Sequence, residues 1–226
     1  MGIRRMLLAP AIATTVLLAT SACTASSPSS EEASVSSATH DLLAATTVDA
    51  ARAALDAGAD IEARGDGGMT ALIAATKRDD VEIARLLVDA GADVNAKDDI
   101  QDSAFLYAGA RGHDEILLLT LENGADPTST NRFGGTALIP ASERGLLSTV
   151  RILLDAGVDP DHVNDLGWTA LHEAIVLGDG SQDYVDVVRA LIDGGADIGI
   201  ADGDGVLPRD LALARGYDTI VAELDR

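Results

Sequence analysis

One cysteine, two lysines and no nucleophile motif leave this 226-residue chain little with which to cross-link, bind nucleic acid or catalyse. With Cys23 alone, no disulfide can close within the chain, so an oxidising compartment would not stabilise it that way. Lysine is confined to Lys77 and Lys97, and all basic residues number 16 against 37 acidic ones, a formal net charge of −21. Such a surface is soluble and repels phosphate backbones, which argues against nucleic acid as a partner. No Gly-x-Ser-x-Gly elbow or phosphate-binding glycine loop occurs, and no cofactor is implied. The carboxylates Glu143 and Glu173 could face one groove and serve acid–base chemistry. A surface without a deep apolar pocket seldom raises such a group enough to act as an acid, so the chain is read as not an enzyme. A hydrolase using those carboxylates is the alternative.

The first forty residues are unlike the rest. Arg4 and Arg5 precede an uncharged apolar stretch, Met6 to Leu18, and the small residues Thr20-Ser21-Ala22 lead to Cys23. That stretch is too short to span a bilayer and reads as an export signal over residues 1–22. It resembles a bacterial lipoprotein signal, which would put a lipid anchor on the Cys23 thiol. Thr20 stands where such motifs usually carry Leu, so ordinary cleavage after Ala22 is the other outcome. The first outcome places the protein outside the cytoplasm as a membrane lipoprotein, the second as a secreted or periplasmic protein. Residues 23–39 are Ser-rich and read as a flexible tether. Removal of residues 1–22 leaves 14 basic against 37 acidic residues, a net −23.

From residue 40 to 226 the chain repeats itself. Gly58-Ala59-Asp60, Gly91-Ala92-Asp93, Gly124-Ala125-Asp126, Gly157-Val158-Asp159 and Gly195-Ala196-Asp197 are spaced 33, 33, 33 and 38 residues apart. A period of this length marks a stack of small units that complete their cores against one another. In one unit Thr70 is placed to cap a first helix carrying Leu72 and Ala75, and Val81, Ala84, Leu87 and Val88 stripe a second. Gly91 suits the left-handed position that ends the second helix. Ser103, Thr136 and Thr169 repeat the cap at the same spacing. Leu86, Leu119, Leu154 and Leu191 are expected between helices. Pro140, four residues beyond Thr136, predicts a shifted helix start rather than a break. The five extra residues of the longer interval fall in Gly178–Asp183 and predict a loop insertion between two helices.

Gly167-Trp168-Thr169-Ala170-Leu171-His172-Glu173-Ala174, Arg111-Gly112-His113-Asp114-Glu115-Ile116 and Gly91-Ala92-Asp93-Val94-Asn95-Ala96 carry a resemblance to ankyrin-repeat proteins. The resemblance implies an all-α solenoid of about six helix-turn-helix units, the first and last acting as caps, and a non-catalytic scaffold for another protein. It also implies contact through the hairpin tips and the exposed end of each first helix. By position these are Ile100, Phe133 and Leu166 with Trp168 adjacent, and the row Arg78, Arg111, Arg144, which continues as Leu177 and Arg215. The apolar tips would form a ridge, unless each folds back over its own turn. The arginines would hold carboxylates of an acidic partner, unless they merely solvate helix ends. His113 and His172 match consensus histidines that bond turn or neighbouring backbone. His162 with Asp159, Asp161 and Asp165 lacks the spacing of a metal site and reads as a turn, as does Asp202–Gly205. A partner that is itself an exported enzyme, modulated by an accessory or immunity-like protein, is a further alternative.

Overall fold

Among the described residues, six antiparallel helix pairs stack in register. The computed structural model describes residues 30–226, so Cys23 and the expected signal lie outside it. The inner helices are α1 (Ser30–Ala44), α3 (Ala71–Lys77), α5 (Ala104–Arg111), α7 (Leu138–Glu143), α9 (Ala170–Val176) and α11 (Pro208–Ala214). The outer helices are α2 (Val48–Asp56), α4 (Val81–Asp89), α6 (Asp114–Glu122), α8 (Leu147–Asp155), α10 (Gln182–Asp193) and α12 (Asp218–Leu224). Each inner helix touches its own outer helix and the inner helices before and after it, and the outer row does likewise. Among the described residues no strand forms.

Local chemistry explains the helix ends. The Thr70 hydroxyl accepts the Ile73 N–H at 3.3 Å and the Ser103 hydroxyl that of Leu106 at 3.2 Å, each satisfying an orphan donor of a first turn. The five Gly residues of the recurring Gly-Ala/Val-Asp run sit at φ between 80° and 98°, the left-handed region where a Cβ would be strained. At Thr136 the expected cap fails. α7 starts one position later, with Ala137 as its flanking residue, and the buried Thr136 hydroxyl has no partner. Pro140 then lies in the first turn, where its missing N–H takes nothing from the helix, so the shifted start that it predicts is observed.

The insertion is also where it was expected. Residues 177–181 connect α9 to α10, and the remaining extra residues lengthen α10 to 12 residues against nine in α8. Two tyrosines brace the connection: the Tyr184 hydroxyl donates to the Glu143 carbonyl at 2.9 Å and the Tyr217 hydroxyl to the Gly178 carbonyl at 3.0 Å.

Two expectations need correction. Leu119 and Leu191 are buried, but Leu86 and Leu154 only border the core, and the fully buried leucines beside them are Leu87 and Leu153. At the N-terminal end α1 begins at Ser30, inside the stretch expected to be a tether. Ala38 and Leu42 are buried against the stack, so packing starts before residue 40.

Consecutive units are stitched along one edge. The amide of Asp60 donates to Thr39 Oγ1, that of Asp93 to Glu62 Oε1, that of Asp126 to Asn95 Oδ1 and that of Asp197 to Asp161 Oδ1, all at 2.7–2.9 Å. Between the inner helices the stack is tight enough to require glycine at one point. A Cβ on Gly109 would meet Ala137 Cβ at 2.8 Å. Gly109→Ala is therefore expected to destabilise the fold by about 1–3 kcal/mol despite alanine's better helix propensity, read as a lowered urea midpoint. A raised midpoint would mean that α5 and α7 are not so closely apposed.

Candidate functional site

The tips of the last four hairpins are each shaped by one side chain. Asp98 Oδ1 accepts the amides of Ile100 and Asp102 at 3.1 and 3.0 Å. Asn131 Oδ1 does the same for Phe133 and Gly135, and Asn164 Oδ1 for Leu166 and Trp168. Such an Asx turn fixes the residue two positions on at the apex. Asp98, Asn131 and Asn164 are 33 residues apart, a signal the sequence reading did not use. Asp202 folds the last tip in the same way but places Asp204 at its apex, and the first tip has Gly67 there. An apolar apex is thus confined to three successive units.

Ile100, Phe133 and Leu166 are 45%, 54% and 63% exposed, so none folds back over its own turn to become buried. They line one groove of about 470 Å³ together with Ile139, Pro140 and Leu177 from the inner helices. That volume lies within the roughly 300–1,000 Å³ of ordinary ligand clefts. Arg111 and Arg144 line it too, as does Arg132, whose guanidinium stacks 4.5 Å from the Phe133 ring. The structure therefore brings together five of the seven expected partner residues.

The other two stand apart. Trp168 is half-buried and does not line this groove. Arg78 borders a separate depression beside His40 and Met69, and its Nη2 donates to the Ala45 carbonyl at 3.0 Å, tying α3 to the first unit. One member of the arginine row is thus engaged in holding units together.

Carboxylates reach the same groove. Asp102, Glu143 and Glu173 line it, which places the pair singled out as possible acid–base groups on one surface. Glu173 is only 5% exposed, and one of its oxygens accepts the Asn164 Nδ2 amide at 3.0 Å. Burial, with the Glu143 charge nearby, pushes its carboxyl above the usual range, and the Asn164 bond opposes this only in part. Burial and then Asp98 push Asp102 up likewise, opposed by Arg132, Lys77 and Lys97.

The sign of the Glu173 effect on stability follows. Its folded-state pKa exceeds the unfolded one, so the native state holds the extra proton between the two values, and stability falls as pH rises through that window. Above the folded value the cost of the buried charge is fully expressed; below the ordinary glutamate value it vanishes. Glu173→Gln keeps the Asn164 contact and is expected to raise the melting midpoint by a few degrees at pH 7.5, with the gain shrinking towards pH 4. A gain of equal size at both pH values would show that the charge is not its source.

The histidines are engaged elsewhere. His113 Nδ1 faces the Thr76 carbonyl at 3.0 Å and His162 Nε2 the Gly134 carbonyl at 2.6 Å; a carbonyl only accepts, so each of these nitrogens carries the proton. His172 is fully buried, and its Nδ1 accepts the Thr169 amide at 3.1 Å, completing a capping box usually closed by Glu or Gln. Burial holds its pKa below the ordinary histidine value, opposed by Asp202 and the Val206 backbone. Asp159 and Asp161 accept main-chain amides in and between the hairpins. Among the described residues no group of three or more His, Cys, Asp or Glu gathers that could hold a metal ion.

Comparison with known proteins agrees with this geometry. A family model described as ankyrin repeats, in three copies, matches residues 105–202, and another described as ankyrin repeat matches residues 67–99. The crystal structure of an ankyrin repeat domain from Acinetobacter baumannii AYE is similar, with a TM-score of 0.76 and 48% identity over 86% of this chain and 96% of that one. The crystal structure of EF0377, an ankyrin repeat protein, gives 0.79 and 39% identity over 85% and 98% of the two chains. No curated protein matches.

Proposed function

Because the chain belongs to the ankyrin-repeat family, we propose that it is a non-catalytic scaffold that holds another protein against the groove of its third to fifth units, outside the cytoplasmic membrane. The observation that carries the binding surface is the convergence of Ile100, Phe133 and Leu166, exposed on three consecutive tips, with Arg111 and Arg144 around one concavity. Exposed apolar side chains clustered beside arginine are what interface hot spots are made of. A photocrosslinking residue placed at position 100, 133 or 166 in producing cells should yield one discrete protein adduct. The same residue at Glu115 or Arg151, exposed on the outer helices, should yield none. Adducts of equal yield from both faces, or none from the tips, would dispose of this surface.

Display outside the cytoplasm rests on the Arg4–Cys23 segment, which resembles a lipoprotein export signal. The mature chain would begin at Cys23 with a diacylglyceryl thioether. Intact mass of the membrane-fraction product, compared with Cys23→Ser, tests it. An unmodified chain beginning after residue 22 in the soluble fraction would replace the tether with free secretion.

One observation favours a second reading: Glu173, with its raised carboxyl, shares the groove with Glu143, the arrangement a groove-acid hydrolase would use. Turnover by the purified protein that Glu173→Gln abolishes without loss of folding would displace the scaffold reading. Should the captured partner be an exported enzyme, its activity with and without this chain decides whether the scaffold acts as an accessory or immunity-like protein.

A further inference from the structure

The groove carries charges of both signs, and they are not equally placed. Arg111, Arg132 and Arg144 are exposed, and Arg132 already lies over the Phe133 ring. Exposed charges are well solvated and gain little from a counter-ion. Glu173 is almost wholly buried, receives a single amide, and has no Lys or Arg within ion-pair distance among the described residues. Asp102 and Glu143 face the same space, also without a cation at that range. A desolvated charge left without a partner is the costly one, so the groove gains most from a cation brought to its acidic side.

We infer that the groove takes a basic side chain, an Arg or Lys on an extended segment of the partner protein, with its cation at Glu173 and its aliphatic stem along Phe133 and Leu166. This rests on the scaffold reading above and names the chemistry of what the scaffold holds. A long basic side chain suits a site with apolar walls and a charged interior because its stem buries while its head stays paired. An acidic side chain in that place would add a negative charge beside Asp102, Glu143 and Glu173. The rim arginines then meet flanking groups of the segment, and the excess negative charge of the whole chain steers basic segments towards it. The raised carboxyls of Asp102 and Glu173 fit the same demand, since a bound cation would favour their ionised forms.

The test pans a library of random linear peptides on the full chain at pH 7.5 and measures the affinities of enriched peptides. The proteins compared are the unaltered chain, Glu173→Gln, and Phe133→Ala combined with Leu166→Ala. Enriched peptides are expected to share a Lys or Arg beside an apolar residue and to bind Glu173→Gln about tenfold more weakly or worse. Changing the peptide's basic residue to Gln should cost the same on the unaltered chain and little more on Glu173→Gln, since both changes remove one interaction. The Gln variant is expected to be the more stable protein, so its loss of affinity could not come from unfolding.

Peptides that need Phe133 and Leu166 but carry no basic anchor, or ignore Glu173→Gln, would overturn the anchor and leave the scaffold standing. Free spermidine competing at the affinity of the peptide would overturn it in favour of a small cation. Peptides indifferent to the Phe133 and Leu166 changes, or no enrichment at all, would overturn the binding surface itself and the anchor with it.

Discussion

Leu153→Ala is expected to lower the unfolding free energy by about 2–5 kcal/mol, while Leu154→Ala one position on costs well under half of that. Leu153 is fully buried in the continuous core, whereas Leu154 is partly open at the outer margin of α8 beside Gly194. Removing three carbons from the first leaves a cavity that the inner helices cannot close, because Gly109 and Ala137 already hold α5 and α7 in contact. Urea denaturation followed by circular dichroism measures both variants under the same conditions. Equal losses would mean that the rotational phase of α8 is wrong, and with it the arrangement of the outer row. Thr120, which lies 33 residues before Leu153, is fully buried and turns its hydroxyl to the Leu117 carbonyl at 2.8 Å. The same depth in the stack is thus filled by Leu87, Thr120, Leu153 and Leu191.

The second large effect concerns recognition. Phe133→Ala combined with Leu166→Ala is expected to weaken capture of the partner by a factor of about 100 or more, since hot-spot truncations cost roughly 2 kcal/mol each. Both side chains are more than half exposed, so helix content and melting midpoint should stay where they are. The dissociation constant is measured with the partner recovered through the position 100 crosslink. Trp168→Ala is the instructive comparison, because Trp168 was expected on the ridge and does not line the groove. A larger loss from Trp168 than from the Phe133 and Leu166 pair would move the binding surface towards the fifth and sixth units.

The period, the caps at Thr70 and Ser103 and the left-handed glycines were legible in the sequence because each is a local requirement of backbone geometry repeated at fixed spacing. The leucine phase was misread for an equally local reason. In Arg151-Ile152-Leu153-Leu154 two identical side chains stand in succession, and no contrast in polarity says which points inward; the offset of two 33-residue periods from Leu87 would have said so. Thr136 looked like its counterparts, and only the displaced start of α7 at Leu138, two residues before Pro140, separates it from them. The groove was half legible. Exposed apolar tips could be read from position, since turns project outward. The burial of Glu173 could not, because it appears only once the chain folds and the Asn164 hairpin comes back to within hydrogen-bond distance of the carboxylate. Arg78 was misplaced in kind: nothing near it in sequence reveals that its acceptor is the Ala45 carbonyl, a whole unit earlier.

The stitching amides of Asp60, Asp93, Asp126 and Asp197 all find their acceptor in the preceding unit. Those of Asp99 and Asp165 do the same, donating to the Gly67 and Phe133 carbonyls of the tips before them. Along these edges the array has a direction. Trimming units from the carboxyl end strands acceptors and side-chain donors such as Asn95 Nδ2 and Lys97 Nζ, which water satisfies readily, whereas trimming from the amino end strands main-chain donors that were oriented for a protein oxygen. Lengthening by duplication is correspondingly easier at the carboxyl end, where each new unit meets acceptors already in place.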